Sequence, residues 1–225
     1  MAALHIDQPT PESLRQRCQS LAMLDAVLGA SAGTSRFSGP IDYLERWRPG
    51  AALVRWDAQM GAEFSIVFDD TGVFVRGFDR DSSHNPFWEG RENESIVPAV
   101  LEALPAQFAG YLTDPDVDSS QRYVPAEQRV PNVTVCSWWL AGTRRWQGLG
   151  DEYLDSWDDP FRDVTDDDEE VVQDYLDVHS AEVDPDVALQ ILNRKPLTSS
   201  LIREVNPDAD IDAVFAACIV IGYPS

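Results

Sequence analysis

The chain of 225 residues carries a formal net charge of −22, and that length holds one large domain or two small ones with a packed core. A negative field of this size repels nucleic acid and anionic membranes, which excludes both as partners. No apolar run approaches the roughly 20 residues that span a bilayer. The first residues also lack the basic end and apolar stretch of a signal peptide, so we expect a cytoplasmic protein.

The first predicted element is a helix that begins at Thr10-Pro11-Glu12. Threonine is a favourable N-cap, proline suits the first helical position, and an acid suits the first turn. We expect the helix to end at Gly29 or near Gly33. A weak strand pattern follows over residues 35–43, and a second strand is predicted within residues 51–57. One apolar face of the helix repeats at three- and four-residue spacing, through Leu14, Cys18, Leu21, Leu24 and Leu28.

Residues 62–79 give the strongest local signal in the chain. Apolar and polar residues alternate through Phe64 and Phe68, break at Asp69-Asp70-Thr71-Gly72, and alternate again to Phe78. Alternation on both sides of an Asp/Gly turn predicts an antiparallel hairpin. A hairpin alone is marginally stable, so we expect further strands and a covering helix.

The segment 80–94 is polar and irregular, and it contains His84 and Trp88. Functional loops have this composition, as do ordinary crossovers. Helical spacing resumes over residues 97–112, where Pro105 divides the pattern and is expected to start a second helix.

Residues 132–140 are rich in β-branched and aromatic side chains and predict a strand that turns back after residue 140. Successive side chains of a strand point to opposite faces. One of Trp138 and Trp139 therefore enters the core, while the other faces solvent unless a helix covers it. With Trp146 across the turn, the pair is a candidate contact surface, because aromatic residues are enriched at interfaces.

Negative charge is concentrated after residue 150. Residues 151–186 contain 16 acids and a single base, Arg162, which gives a net charge of −15. Thr165 and Asp168 fit a capping-box spacing ahead of a helix, and three further short helices are predicted after Asp184, Thr198 and Asp210.

We place a domain boundary after residue 150, with an α+β sheet domain at 1–150 and an acidic helical segment at 151–225 that packs on it as one unit. The candidate partner-binding acids are Asp166, Asp167, Asp168, Glu169 and Glu170.

The sequence lacks the known motifs of catalytic, metal-binding and phosphate-binding sites. The three cysteines are far apart and fit neither a disulfide framework nor a metal-ligand spacing. Asp114, Asp116 and Asp118 have the spacing of the first calcium ligands of an EF-hand, but the required glycine and glutamate are replaced. There is no nucleophile elbow and no phosphate-binding glycine loop. We therefore predict no catalytic residue, no metal site and no cofactor.

Short segments occur at residues 18–25, 75–79, 100–112, 195–198 and 221–224 that together resemble a family of acidic bacterial cytosolic proteins. The family brings no established activity with it, so the resemblance implies neither a substrate nor a cofactor. A second likeness, Leu104-Pro105-x-x-Phe108-x-x-Tyr111-Leu112, is similar to a signature of the SMI1/KNR4-like immunity proteins.

The sequence thus predicts an α+β protein, with an antiparallel sheet of four to six strands covered by helices and an acidic helical C-terminal part. We expect a non-enzymatic protein that binds a basic protein, as an immunity- or antitoxin-like inhibitor of a toxin or nuclease does. One alternative is a hydrolase or metal-dependent enzyme that uses the 80–94 loop. Another is a ligand-binding module built on the tryptophans. The oligomeric state is left open.

Overall fold

The computed structural model describes residues 9–30, 41–57, 61–87, 95–143, 145–149, 164 and 167–225. Within them, six strands form one antiparallel sheet in which every strand lies beside its neighbours in sequence. This confirms the predicted α+β class. The strands are β1 (Ile41–Arg48), β2 (Ala51–Asp57), β3 (Ala62–Asp69), β4 (Gly72–Asp79), β5 (Val135–Leu140) and β6 (Trp146–Gly148).

Helices precede the sheet, interrupt it and follow it. Short 3-10 helices occupy Ala109–Thr113, Ser119–Gln121 and Ala126–Gln128. Among the described helices, none has the length and apolar content needed to cross a membrane. The α-helices are α1 (Pro11–Gly29), α2 (Val97–Ala103), α3 (Asp168–Val178), α4 (Pro185–Leu192), α5 (Ser199–Val205) and α6 (Ile211–Ile221).

The predicted hairpin is confirmed as β3 and β4, joined through Asp70 and Thr71 with Asp69 paired to Gly72. The side chain of Asp69 closes the turn, since its Oδ1 accepts hydrogen bonds from the backbone of Thr71 at 2.7 Å and of Gly72 at 3.1 Å. Gly72 has φ +150°, and a Cβ there would lie 1.8 Å from the carbonyl oxygen of Trp139 on β5. Only glycine fits where the hairpin and β5 approach so closely.

Three predicted elements differ from the structure. The strand expected at 35–43 is Ile41–Arg48, while residues 35–40 lie outside the described residues. Pro105 does not start a second α-helix. Leu104 takes the extended conformation preferred before proline, and a 3-10 helix follows.

The cap of α3 is Asp167 rather than Thr165, because the Asp167 carboxylate accepts the Glu169 N–H at 2.9 Å. Thr165 lies outside the described residues.

Packing divides the chain into two compact units, each made of two separate stretches of sequence. The first unit contains Met1–Pro11 and Trp47–Arg162, and the second contains Glu12–Arg46 and Asp163–Ser225. Packing therefore groups α1 with the C-terminal helices. This grouping cannot be inferred from amino-acid composition.

The first unit has its core on one face of the sheet. Strand register places Leu53, Val67, Phe74 and Trp138 in one row across β2 to β5. α2 and the chain that follows it cover this row with Ile96, Val100, Leu104, Phe108 and Leu112. Packing of the two sets against each other buries these apolar side chains, and this burial makes the main contribution to the stability of the unit.

The second unit is organised around α1. The sequence predicts one apolar face, but the structure buries every residue from Cys18 to Leu28 on all sides of the helix. The C-terminal helices supply polar contacts as well as apolar ones. Asn206 Nδ2 donates to the carbonyl oxygens of Val27 at 2.9 Å and Leu28 at 3.2 Å. These bonds satisfy two of the carbonyl groups that the end of a helix leaves unpaired.

Candidate functional site

The two adjacent tryptophans of β5 point to opposite faces of the sheet, as predicted. Trp138 pairs with Phe74 in the core of the first unit and is 4% exposed. Its Nε1 donates to Gln147 Oε1 at 3.0 Å, which satisfies the indole N–H. Trp138 therefore lies in the core, whereas the sequence grouped it with the candidate contact residues.

Trp139 and Trp146 form an aromatic pair on the other face. The two residues are cross-strand partners, and their rings meet edge to face with centroids 5.7 Å apart. Both side chains are half-buried. The Nε1 of Trp146 donates to the carbonyl oxygen of Pro9 at 2.8 Å. The hydrogen bond thus holds Pro9 beside β6, and only part of the surface of the two rings is exposed to solvent.

The candidate acids lie at the start of α3. Asp167 caps the helix, Asp168 forms an ion pair with Arg17, and Glu169 and Glu170 are exposed. Asp166 lies outside the described residues. Carboxylates in the first turn are stabilised by the partial positive charge of the helix N-terminus.

The same charge continues along the chain beyond this first turn. We call residues 167–186 the acidic segment: it contains α3 and the start of α4, which pack against each other, and it has no lysine or arginine. Asp174 is half-buried, and exposed carboxylates occur on both helices and on the turn between them. The exposed acids of the segment are Asp167, Glu169, Glu170, Asp177, Glu182, Asp184 and Asp186.

Of the two candidate residues in the 80–94 loop, the structure describes only His84. His84 lies in a turn after β4, half-buried, with Nε2 3.4 Å from Ser83 Oγ and its backbone N–H on Ser82 Oγ. The neighbouring Asn85 is buried and bonds the carbonyl oxygen of Arg80 at 2.7 Å. Trp88 lies outside the described residues.

The sequence analysis did not identify a buried contact between an acid and a histidine. His179 forms the C-cap of α3, and its Nε2 lies 2.9 Å from Oδ1 of Asp25 in α1. Asp25 is 1% exposed. Burial raises the pKa of the Asp25 carboxyl, and the hydrogen bond and charge of His179 oppose that rise. The available signal was an aspartate inside the apolar run of residues 21–28.

The three aspartates with calcium-like spacing are held by other side chains. Arg48 pairs with Asp114 at 2.8 Å and with Asp116 at 3.3 Å, while Asp118 is buried 3.6 Å from Arg76. A hydrogen bond from Trp47, and then the contacts with Arg48, lower the pKa of Asp116. Within the described residues, no three histidine, cysteine or acidic side chains come together so as to hold a metal ion.

The cysteines are free thiols and all three are buried. Burial raises the pKa of Cys18 and of Cys136 to about 12. The thiolate is the reactive form, so burial disfavours the reactive form of both residues at neutral pH.

Comparison with protein-family models, with curated proteins and with solved structures found no match for this chain.

Proposed function

We propose that the protein binds a basic protein through the acidic segment and acts as an immunity- or antitoxin-like inhibitor of a basic toxin or nuclease. One observation carries the proposal: seven exposed carboxylates lie within residues 167–186, where the sequence supplies no lysine or arginine. Such a field attracts a cationic surface and speeds its encounter with the protein.

Helix stability alone does not account for these acids. The dipole of α3 favours Asp168, Glu169 and Glu170 in its first turn. Asp174 and Asp177 lie toward its C-terminus, where the dipole disfavours negative charge and where no base is present in the last turn. A cationic partner would reverse this unfavourable term.

An apolar side chain lies within the same segment. Val178, next to Asp177 at the end of α3, is 69% exposed. Protein interfaces combine an apolar centre with a polar rim, and rim charges set the rate and specificity of association. Val178 and the carboxylates around it in sequence provide both kinds of contact.

The test compares two triple variants of equal net charge for binding to a cationic ribonuclease. The first variant, Glu169→Gln/Glu182→Gln/Asp186→Asn, removes three exposed charges from the acidic segment. The second, Glu204→Gln/Asp208→Asn/Asp212→Asn, removes three exposed charges elsewhere in the second unit. None of the six residues caps a helix.

We expect the first variant to bind about tenfold more weakly than the wild type, because exposed charge pairs contribute about 0.2–1 kcal/mol each. The matched variant should stay within about twofold. Ribonuclease succinylated at its lysines serves as the control and should not bind. Equal losses in both variants, or no binding by the wild type, would contradict the proposal.

A further inference from the structure

Two pairs of side chains join α3 to α1, one pair at each end of α3. Asp168, in the first turn of α3, forms an ion pair with Arg17. His179, which caps the other end, has its Nε2 2.9 Å from Oδ1 of Asp25. Arg17 precedes Asp25 in α1 as Asp168 precedes His179 in α3, so the two helices run in the same direction between these contacts.

The helical period gives α3 an inner side that contains the residues of both pairs. Asp168, Val172, Tyr175 and His179 follow one another at spacings of three and four residues and therefore lie on one side of the helix. Val172 and Tyr175 are buried. The side of α3 that contacts α1 at both ends is thus the side that enters the core of the second unit.

Exposed residues lie directly before and after His179 in the chain. Val178 is 69% exposed, and Asp177 and Glu182 are exposed carboxylates. His179 lies between Val178 and the turn that leads to Glu182. The contact of His179 with α1 therefore determines where this apolar side chain and both carboxylates are placed.

The contact between Asp25 and His179 is buried, which makes its geometry restrictive. Asp25 is 1% exposed, and the side chain of His179 is 11% exposed. Burial disfavours the charged form of Asp25, and the hydrogen bond and charge of His179 oppose that effect. A buried acid that loses its partner carries the full cost of its desolvation. Movement of His179 away from Asp25 is therefore unfavourable, and the end of α3 is held in one position.

We propose that Asp25 and His179 are positioning residues for the binding of a cationic protein. The pair holds Val178, Asp177 and Glu182 in the arrangement that the partner contacts. This inference rests on the proposed function and adds a requirement to it. Exposed charges set the rate of association, whereas the placement of the contacts sets the rate of dissociation. Loss of the pair leaves the number of exposed carboxylates unchanged but not their arrangement.

The test compares the rates at which cationic ribonuclease associates with and dissociates from the wild type, His179→Ala and His179→Gln, measured by surface plasmon resonance. The two variants have the same net charge, but glutamine keeps an amide donor near the position of the histidine Nε2. We expect His179→Ala to dissociate about fivefold faster than the wild type, with an association rate within about twofold. His179→Gln should restore the dissociation rate to within about twofold of the wild type.

Tyr223→Phe is the control for a general loss of stability. The Tyr223 hydroxyl donates to the carbonyl oxygens of Ile191 at 2.7 Å and Lys195 at 3.1 Å, so its removal breaks a buried hydrogen bond of the second unit that α3 does not make. This variant should dissociate from ribonuclease at the wild-type rate. If His179→Ala does not fold, as judged by circular dichroism, His179→Asn replaces it, because its shorter amide does not reach Asp25.

Three outcomes would overturn this inference. The first is equal dissociation rates for the wild type and the variant that lacks the donor, and the second is a failure of folded His179→Gln to restore the rate. The third is an equally fast dissociation of Tyr223→Phe, which would assign the effect to stability in general. Absence of binding by the wild type would contradict the proposed function itself, whereas binding that does not depend on the pair contradicts this inference alone.

Discussion

Arg76 donates two hydrogen bonds to the carbonyl oxygen of Asn132, from Nε at 3.1 Å and from Nη2 at 2.5 Å. Arg76 lies on β4 and is 1% exposed. The same guanidinium bonds Val117 O and forms an ion pair with Glu63 at 2.8 Å. A charge buried to this extent is unfavourable unless its donors are satisfied. Here the satisfied donors join β4 to the backbone on both sides of residues 118–131.

Replacement of Arg76 by lysine should therefore destabilise the protein although the charge is kept. A lysine donates from one atom and does not reproduce the planar fork that meets Asn132, Val117 and Glu63 together. We expect the free energy of unfolding to fall by about 3 kcal/mol, as measured by urea denaturation. The exposed Arg122→Lys is the control and should change it by less than about 0.5 kcal/mol. A loss below about 1 kcal/mol for Arg76→Lys would show that the fork is not needed.

The buried carboxyl of Asp25 predicts a pH dependence. Its pKa in the folded protein is raised above the ordinary value of 3.8, so the folded state holds this proton more tightly than the unfolded chain does. The stabilising contribution of the group is then complete below about pH 4 and is lost as the pH rises through the raised pKa.

Asp25→Asn removes this titration while keeping an acceptor for His179. Its stability relative to the wild type should therefore increase as the pH rises from about 4 toward 7, as followed by urea unfolding at each pH. Glu204→Gln alters an exposed acid and should keep the wild-type profile. Parallel profiles for Asp25→Asn and the wild type would contradict the raised pKa.

Gly72, the first residue of β4, and Gly142, in the turn after β5, differ in the space available to a side chain. Gly72→Ala places a Cβ 1.8 Å from the Trp139 carbonyl oxygen at φ +150°, whereas a Cβ at Gly142 meets nothing within 4 Å. We expect Gly72→Ala to lower the free energy of unfolding by about 3 kcal/mol or more, from strain and overlap together. Gly142→Ala should change it by less than about 1 kcal/mol. Similar stabilities of the two variants in chemical denaturation would refute the close approach of the hairpin to β5.

Two substitutions of Asp167 distinguish the contribution of its helix cap to stability from that of its negative charge. Asp167→Ala removes the acceptor for Glu169 N–H and should lower stability by about 1 kcal/mol. Asp167→Asn removes one negative charge but caps about as well, so its loss should be only a few tenths of a kcal/mol. Thermal unfolding of both variants measures the difference. Equal losses would mean that the charge of Asp167, rather than its cap, stabilises α3.

Local patterns predict the elements of this fold well. The hairpin at 62–79 and the N-caps Asp184, Thr198 and Asp210 all agree with the structure. These features depend on residues within a few positions of one another, so periodicity and capping rules are sufficient to find them.

Contacts between distant residues were not predictable in the same way. Asp25 and His179 are 154 positions apart, and Arg76 and Asn132 are 56 apart. Nothing in the local sequence pairs them, although a polar residue inside an apolar stretch signals that a partner exists. The same limit applies to Trp138, because alternation shows that two adjacent tryptophans diverge but does not show which one enters the core.

The central claim is that the exposed carboxylates of the acidic segment attract a cationic protein. Its most direct test is the dissociation constant of the wild-type protein with cationic ribonuclease, measured by titration calorimetry from about 20 to about 300 mM salt. Screening between exposed charges becomes strong once the Debye length falls to about 10 Å near 0.1 M. Our account predicts a steep, continuous weakening of binding across this range, whereas an affinity that does not change with salt would contradict it.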